Sequence, residues 1–267
     1  YKIMKKTLIT LSVLLSGLFV LNNSLFAQKE IRIIMIGDNT MAKFVSEYDY
    51  YYGDAEEKPL SDPFTQRGWG EILPSYFSEK VKVENDAIYG SSTRSFIDDN
   101  GWIKAMTKFR GGEYLIIQFG QNDALKSDTT RYTTPEQYEK NLVKFIKEAK
   151  KNGVRPILCT PIAKRQFDSH GNFLDSHNEY VDIMHEVAKK ERVPLVDMYE
   201  KSSDLIADLG REDSQDLFLR VKPSGISSEE RVDESNLNGK GATEIADIFI
   251  DALKELKFKD LLKELRE

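Results

Sequence analysis

The sequence predicts an α/β protein of three layers, with helices on both faces of a parallel sheet of about five strands. Two features predict it: short apolar runs each stopped by glycine or proline, and amphipathic helical segments lying between them. Strands of a parallel sheet are buried on both faces, which is why they read as unbroken apolar runs. Before the first of them, Lys5 and Lys6 precede an uncharged run over residues 7–27 that ends Ser24-Leu25-Phe26-Ala27. That pattern is expected to be a secretory signal cleaved before Gln28, its apolar core being short for a spanning helix. Removing residues 1–27 leaves 240 residues with 35 basic and 44 acidic side chains, a formal charge of −9.

Residues 31–36 form the first strand, stopped by Gly37-Asp38; a weaker one follows at 81–84, and a third at 114–119 is stopped by Gly120. Thr134-Pro135-Glu136-Gln137 supplies the N-cap, N1 proline and N3 glutamine of a helix start. Tyr138, Leu142, Phe145, Ile146 and Ala149 then recur at helical spacing until Asn152-Gly153 ends the helix. Residues 154–160 make the next strand, His185 lies in a similar helix running to Lys190, and 193–198 make a further strand. The alternation implies right-handed crossovers, with functional groups collecting at the carboxyl edge of the sheet. Residues 28–267 read as a single domain, since no repeat, low-complexity linker or abrupt change of composition interrupts them.

Composition narrows the function. With 40% hydrophobic and 31% charged residues the chain is globular in character, which excludes a disordered, collagenous or multi-span membrane protein. A balance of 38 basic to 44 acidic residues argues against a nucleic-acid binder working through a basic surface. A lone cysteine, Cys159, permits neither an intrachain disulfide nor a cysteine-rich zinc site, and in a predicted central strand it reads as core. The acidic pairs Glu56-Glu57, Asp98-Asp99 and Glu229-Glu230 lack metal-ligand spacing, and the single glycine of Gly37-Asp38-Asn39-Thr40-Met41 is too few for a nucleotide loop. No cofactor is expected. Three histidines, His170, His177 and His185, are the whole supply for any histidine base.

Four segments fall on the carboxyl edge: Gly37-Asp38-Asn39-Thr40, residues 85–96, Gly120-Gln121-Asn122-Asp123, and Asp233-Glu234-Ser235-Asn236 before the last long helix. With Gly68-Trp69-Gly70, Leu73-Pro74, Tyr76-Phe77, Ser92-Thr93-Arg94-Ser95-Phe96 and Thr160-Pro161-Ile162-Ala163-Lys164-Arg165, all in order, the sequence resembles the SGNH, or GDSL-type, hydrolases. Within them it is similar to the rhamnogalacturonan acetylesterase branch of carbohydrate esterases, from Ile31 to about Leu256. The resemblance implies a flavodoxin-like three-layer fold and a serine–histidine–aspartate site. It places the nucleophile at Asn39, the oxyanion hole at Gly90 and Asn122, and the acid and base at Asp233 and Asn236. Trp69, Arg94 and His177 fall in blocks assigned to substrate binding. Gln121 stands where the branch usually has histidine.

Asparagine at both the serine and the histidine place changes the chemistry. Hydrolysis by this route needs an oxygen nucleophile that can be deprotonated and a neighbour to accept its proton. A carboxamide offers two N–H donors and one acceptor oxygen and titrates nowhere near neutral pH. Thr40 is a poor substitute, because its side chain should point away from the edge and no base lies beside it. Water attack assisted by Asp38 or Asp233 is conceivable, although Asp38 is expected to bond its own turn. His177 is read as ordering a loop or touching ligand, His170 as a turn residue and His185 as part of a helix. Tyr48, Tyr50, Tyr51 and Tyr52, with Phe64 and Trp69, suit either sugar stacking or a packed loop.

Two functions remain. One is an exported pseudoenzyme, in a bacterial periplasm or at the cell surface, that binds an acetylated pectin-type polysaccharide or oligosaccharide of the plant cell wall without hydrolysing it. Neither nucleic acid nor, beyond the signal segment, a membrane is an expected partner. The alternative is an active acetylesterase with a non-standard nucleophile or base, or a variant of an active parent.

Overall fold

The computed structural model describes residues 30–44, 58–174, 178–223 and 229–266. Residues 1–27, expected to be a signal segment, the tyrosines at 48–52 and His177 lie outside the described residues. Five parallel strands, β1 (Ile31–Gly37), β2 (Val81–Asn85), β3 (Tyr114–Gln118), β4 (Arg155–Cys159) and β5 (Leu195–Val196), stand in the order β2-β1-β3-β4-β5. The chain thus steps outward from β1 to β2 and returns on the other side of β1 for β3. That reversal opens a crevice at the carboxyl ends of β1 and β3, where ligands bind in folds of this order.

The described helices, in chain order, are α1 (Trp69–Ile72), α2 (Thr93–Asp98), α3 (Gly101–Met106), α4 (Pro135–Lys151), α5 (Asn178–Glu191), α6 (Met198–Asp213), α7 (Gly239–Glu255) and α8 (Lys259–Leu262). Alternate strand residues feed two cores, as the two-residue period of a strand requires. Ile33, Met35, Ile116, Ile157 and Cys159 pack with Trp69 and with Ala242, Ile245, Ala246 and Phe249 of α7. Ile34, Ile36, Leu115, Ile117 and Leu158 pack on the opposite face with Phe96, Trp102, and the Tyr138, Leu142 and Phe145 stripe of α4. The α4 start is as the sequence predicts: Thr134 Oγ1 accepts the Gln137 N–H at 3.3 Å.

Two elements differ from expectation. The last strand is only Leu195–Val196, because the Asp197 side chain accepts the Glu200 N–H and starts α6 at once. Asp233 to Asn236, where no strand is expected, belong to β7 (Arg231–Leu237), paired antiparallel with β6 (Phe218–Val221). The β7 segment Arg-Val-Asp-Glu-Ser-Asn-Leu carries too few apolar residues for a strand period to show.

Trp69 is placed differently from the sequence expectation. It is fully buried, lies 5.0 Å from Phe249 between ring centroids, and donates its indole N–H to Gln118 Oε1 at 2.6 Å. A side chain with no exposed face cannot stack on a sugar, so Trp69 is a core residue that braces the crevice from behind. Trp69→Ala is expected to lower unfolding free energy by about 3–5 kcal/mol. Trp69→Phe, which leaves the Gln118 acceptor unpaired, should cost about 1–3 kcal/mol. Urea unfolding of both variants checks this; unchanged midpoints would contradict the placement.

Candidate active site at the carboxyl edge of the sheet

Four chain segments meet in the crevice, and each is locked by its own backbone. After β1, Asp38 Oδ1 accepts the Thr40 N–H at 3.1 Å and the Thr40 hydroxyl at 2.8 Å, while the Asp38 carbonyl accepts the N–H groups of Met41 and Ala42. Thr40 Oγ1 also accepts from Gln118 Nε2 at 3.2 Å, so Asp38, Thr40, Gln118 and Trp69 form one buried chain behind the turn. This holds Thr40 inward and leaves Asn39 to face the other segments.

After β2, the Ile88 N–H bonds the Gly37 carbonyl at 3.1 Å and brings Gly90 alongside. Gly90 has φ +78°, a left-handed conformation that favours glycine, and a Cβ there would lie 3.1 Å from the Arg131 guanidinium. After β3, Asp123 accepts the Thr93 N–H at 3.0 Å and the Thr93 hydroxyl at 2.6 Å, tying the β3 loop to the start of α2. On β7, Asp233 Oδ1 accepts the N–H groups of Ser235 and Asn236, each at 2.7 Å. The N–H groups of Arg165 and Arg67 bond the flanking carbonyls of Glu234 and Leu237 at 2.8 and 3.0 Å.

Asn39 joins the four segments. Its Oδ1 accepts from the Gly90 N–H and from Asn122 Nδ2, both at 2.9 Å, and its Nδ2 donates to Asn236 Oδ1 at 3.1 Å. Asn236 Nδ2 in turn donates to Asp233 Oδ2 at 3.2 Å. The direction of this chain is fixed at both ends, because a backbone N–H can only donate and a carboxylate can only accept. Asn122 is oriented likewise, since its Nδ2 also donates to the Ser91 carbonyl at 2.9 Å. The structure therefore brings Asn39, Gly90, Asn122, Asp233 and Asn236 into one hydrogen-bonded cluster, with the polarity of a serine–histidine–aspartate triad and carboxamides at 39 and 236.

Other candidates fall elsewhere. Thr40 and Asp38 are buried, and the Thr40 hydroxyl is bonded on both sides, so neither meets a ligand in this conformation. Half-buried Arg94 donates to the Thr129 carbonyl at 2.5 Å, bridging α2 to the β3 loop without joining the amide chain. His185 pairs with Asp197 at 2.6 Å, and the His170 N–H bonds Asp168 in an exposed turn. Two neighbours of the site carry no sequence signal of their own. Gln66 Nε2 donates to Asn236 Oδ1 at 3.2 Å, and Lys164 feels the charges of Asp38, Asp233 and Glu234, which oppose the lowering of its pKa by burial. Both stand within or beside the blocks 68–70 and 160–165, which is the only hint the sequence offers.

Behind the amides the site stores two buried acids. Burial pushes the Asp38 carboxyl up to about 6, opposed by the Thr40 hydroxyl and N–H, the Gln121 N–H and the charge of Lys164. Burial pushes Asp123 up to about 7, opposed by Thr93 and Thr133 and reinforced by Asp38. A raised carboxyl pKa means the folded state holds its proton after the unfolded chain has released it. The resulting stability is full below about pH 4 and is lost as pH rises through about 6 to 7. The pair together are worth several kcal/mol at most, on the scale of about 1.4 kcal/mol per pKa unit. Relative to Asp123→Asn, the native protein should therefore lose urea stability between pH 4.5 and pH 7.5; parallel pH profiles for the two would contradict the burial of an ionisable group there.

Comparison with known proteins agrees with this architecture. The GDSL-like lipase/acylhydrolase family profile matches residues 33–249. The chain is 31% identical over 237 residues to the rhamnogalacturonan acetylesterase RhgT of Bacillus subtilis (strain 168), covering 86% of this chain and 92% of that protein. It is also 31% identical over 213 residues to the probable rhamnogalacturonan acetylesterase YesY of the same strain, covering 79% of this chain and 94% of that one. A crystal structure of YxiM from Bacillus subtilis shares the fold, with a TM-score of 0.67 at 23% identity over 86% of this chain and 58% of that chain. With five parallel strands, a turn-borne site and this similarity along most of its length, the chain belongs to the GDSL-like lipase/acylhydrolase family.

Proposed function

We propose that the protein binds an acetylated pectin-type glycan without hydrolysing it, as a catalytically impaired member of its family. One observation carries the proposal: the Asn39–Asn236–Asp233 chain occupies the triad places with two carboxamides. Acyl transfer would need an oxygen at position 39 to become an alkoxide and a neighbour to take its proton. The Asn39 nitrogen lone pair is delocalised into its carbonyl, and Asn236 cannot accept a proton near neutral pH. Loss of a whole triad in a well-studied serine protease lowers turnover about a millionfold, while the hole and binding alone retain about 10³–10⁴ over water.

The ligand class is supported by the similarity to two Bacillus subtilis proteins whose names give rhamnogalacturonan acetylesterase activity. Export to a periplasm or cell surface, where such a polymer is met, belongs to the same proposal and is supported by the signal-like pattern of residues 1–27.

Acetate release from acetylated rhamnogalacturonan and from a chromogenic acetyl ester tests it. The native protein should release acetate at background, and the double variant Asn39→Ser, Asn236→His should gain activity, because Asp233 already bonds position 236. Native turnover of about 1 per second or faster, a rate typical of enzymes, would overturn the proposal.

A further inference from the structure

We infer that Asn39 determines the specificity of this site: its side-chain oxygen fills the place of an ester carbonyl, so the ligand is taken with a free hydroxyl in preference to its acetyl ester. The inference rests on the proposed glycan binding and narrows it: the polymer is of the acetylated pectin type, and the sugar seated at this site is one whose hydroxyl is free.

Two donors assigned to the hole, the Gly90 N–H and the Asn122 amide, are fully committed. Gly90 has one N–H, and it goes to Asn39 Oδ1. Asn122 Nδ2 has two hydrogens, one directed to Asn39 Oδ1 and the other to the Ser91 carbonyl. No N–H of this set is left for an incoming carbonyl. Withdrawal of Asn39 Oδ1 would also break the bond from its Nδ2 to Asn236, because both atoms belong to one planar group. The displaced oxygen would then sit unpaired on a side chain that is buried, which is a penalty against the ester.

What remains in the cluster suits hydroxyls. The amide nitrogens of Asn39, Asn236 and Gln66 each use one hydrogen within the cluster, toward Asn236 Oδ1 or Asp233 Oδ2, and each carries a second. Asn236 is half-buried and links Asn39 to Asp233. A sugar hydroxyl oxygen can accept from such donors without entering the hole. Selection for hydroxyls therefore comes from the geometry of the carboxamides, and rejection of the ester from the occupied hole.

The experiment measures affinity for an acetylated rhamnogalacturonan oligosaccharide and for the same oligosaccharide after alkaline removal of its acetyl groups. The native protein should favour the deacetylated form by about tenfold or more, a difference of about 1.4 kcal/mol. Asn39→Ala and Asn39→Ser, both checked for native circular dichroism, should abolish or reverse that preference. Tighter native binding of the acetylated form, or a preference unchanged in the variants, overturns the inference. If neither oligosaccharide binds, the glycan-binding function falls, and acetate titration followed by nuclear magnetic resonance of the Gly90 amide still decides the state of the hole. That resonance should stay fixed in the native protein and move in Asn39→Ala; movement in the native protein would overturn the inference.

Discussion

The carboxamide of Asn39 is the contact on which the site depends. Four loops leave the sheet or its flanking hairpin at different points in the chain, and this one planar group touches three of them while sitting on the fourth. Its bonds are neutral and directional. Each neutral hydrogen bond is worth about 0.5–1.5 kcal/mol net, and the larger effect is that leaving such groups unpaired in a buried site costs more. The Gly90 and Asn122 donors each have an acceptor, and for the same reason neither is available to an oxyanion. In an active enzyme of this architecture the hole must wait unfilled for charge that appears only in the transition state. Here the protein's own oxygen fills it.

The surrounding scaffold holds the turns of the site without help from the side chains at 39 and 236. Asp38, Thr40, Gln118 and Trp69 form one buried chain behind β1, and Asp123, Thr93 and Asn141 form another behind the hole. These groups shape the turns whatever residue stands at 39 or 236. Compared with the serine and histidine that the resemblance implies, asparagine offers no transferable proton but keeps a donor, an acceptor and a similar reach at each place. Nothing in the folding of the sheet opposes asparagine there, so architecture and reactivity separate.

Much of this was legible in the residues, and the limits have physical causes. The parallel strands could be read because burial on both faces makes them mostly apolar, as 31–36 and 114–119 are apart from Arg32 and Gln118. The α4 start could be read because Thr134, Pro135 and Gln137 each meet a requirement of a helix terminus. The β6–β7 ribbon escaped notice because its polar residues face the site and solvent and lack an apolar period. Trp69 was misplaced since an aromatic residue beside glycines suits a sugar platform or a core equally, and only burial separates the two. Asn39 and Asn236 were visible as departures from a motif. Their direct hydrogen bond was not, because it joins positions 197 residues apart.

Under the proposed function, positions 39 and 236 together hold no group able to form an acyl or phosphonyl bond. Intact-mass measurement after exposure to a fluorophosphonate, which labels activated serine-type nucleophiles, tests this most directly. The account predicts no adduct on Asp38, Asn39 or Thr40 in the native protein and one adduct at position 39 in the Asn39→Ser, Asn236→His variant. A stoichiometric adduct on the native turn, mapped to Thr40 or to any other side chain of the crevice, would contradict it.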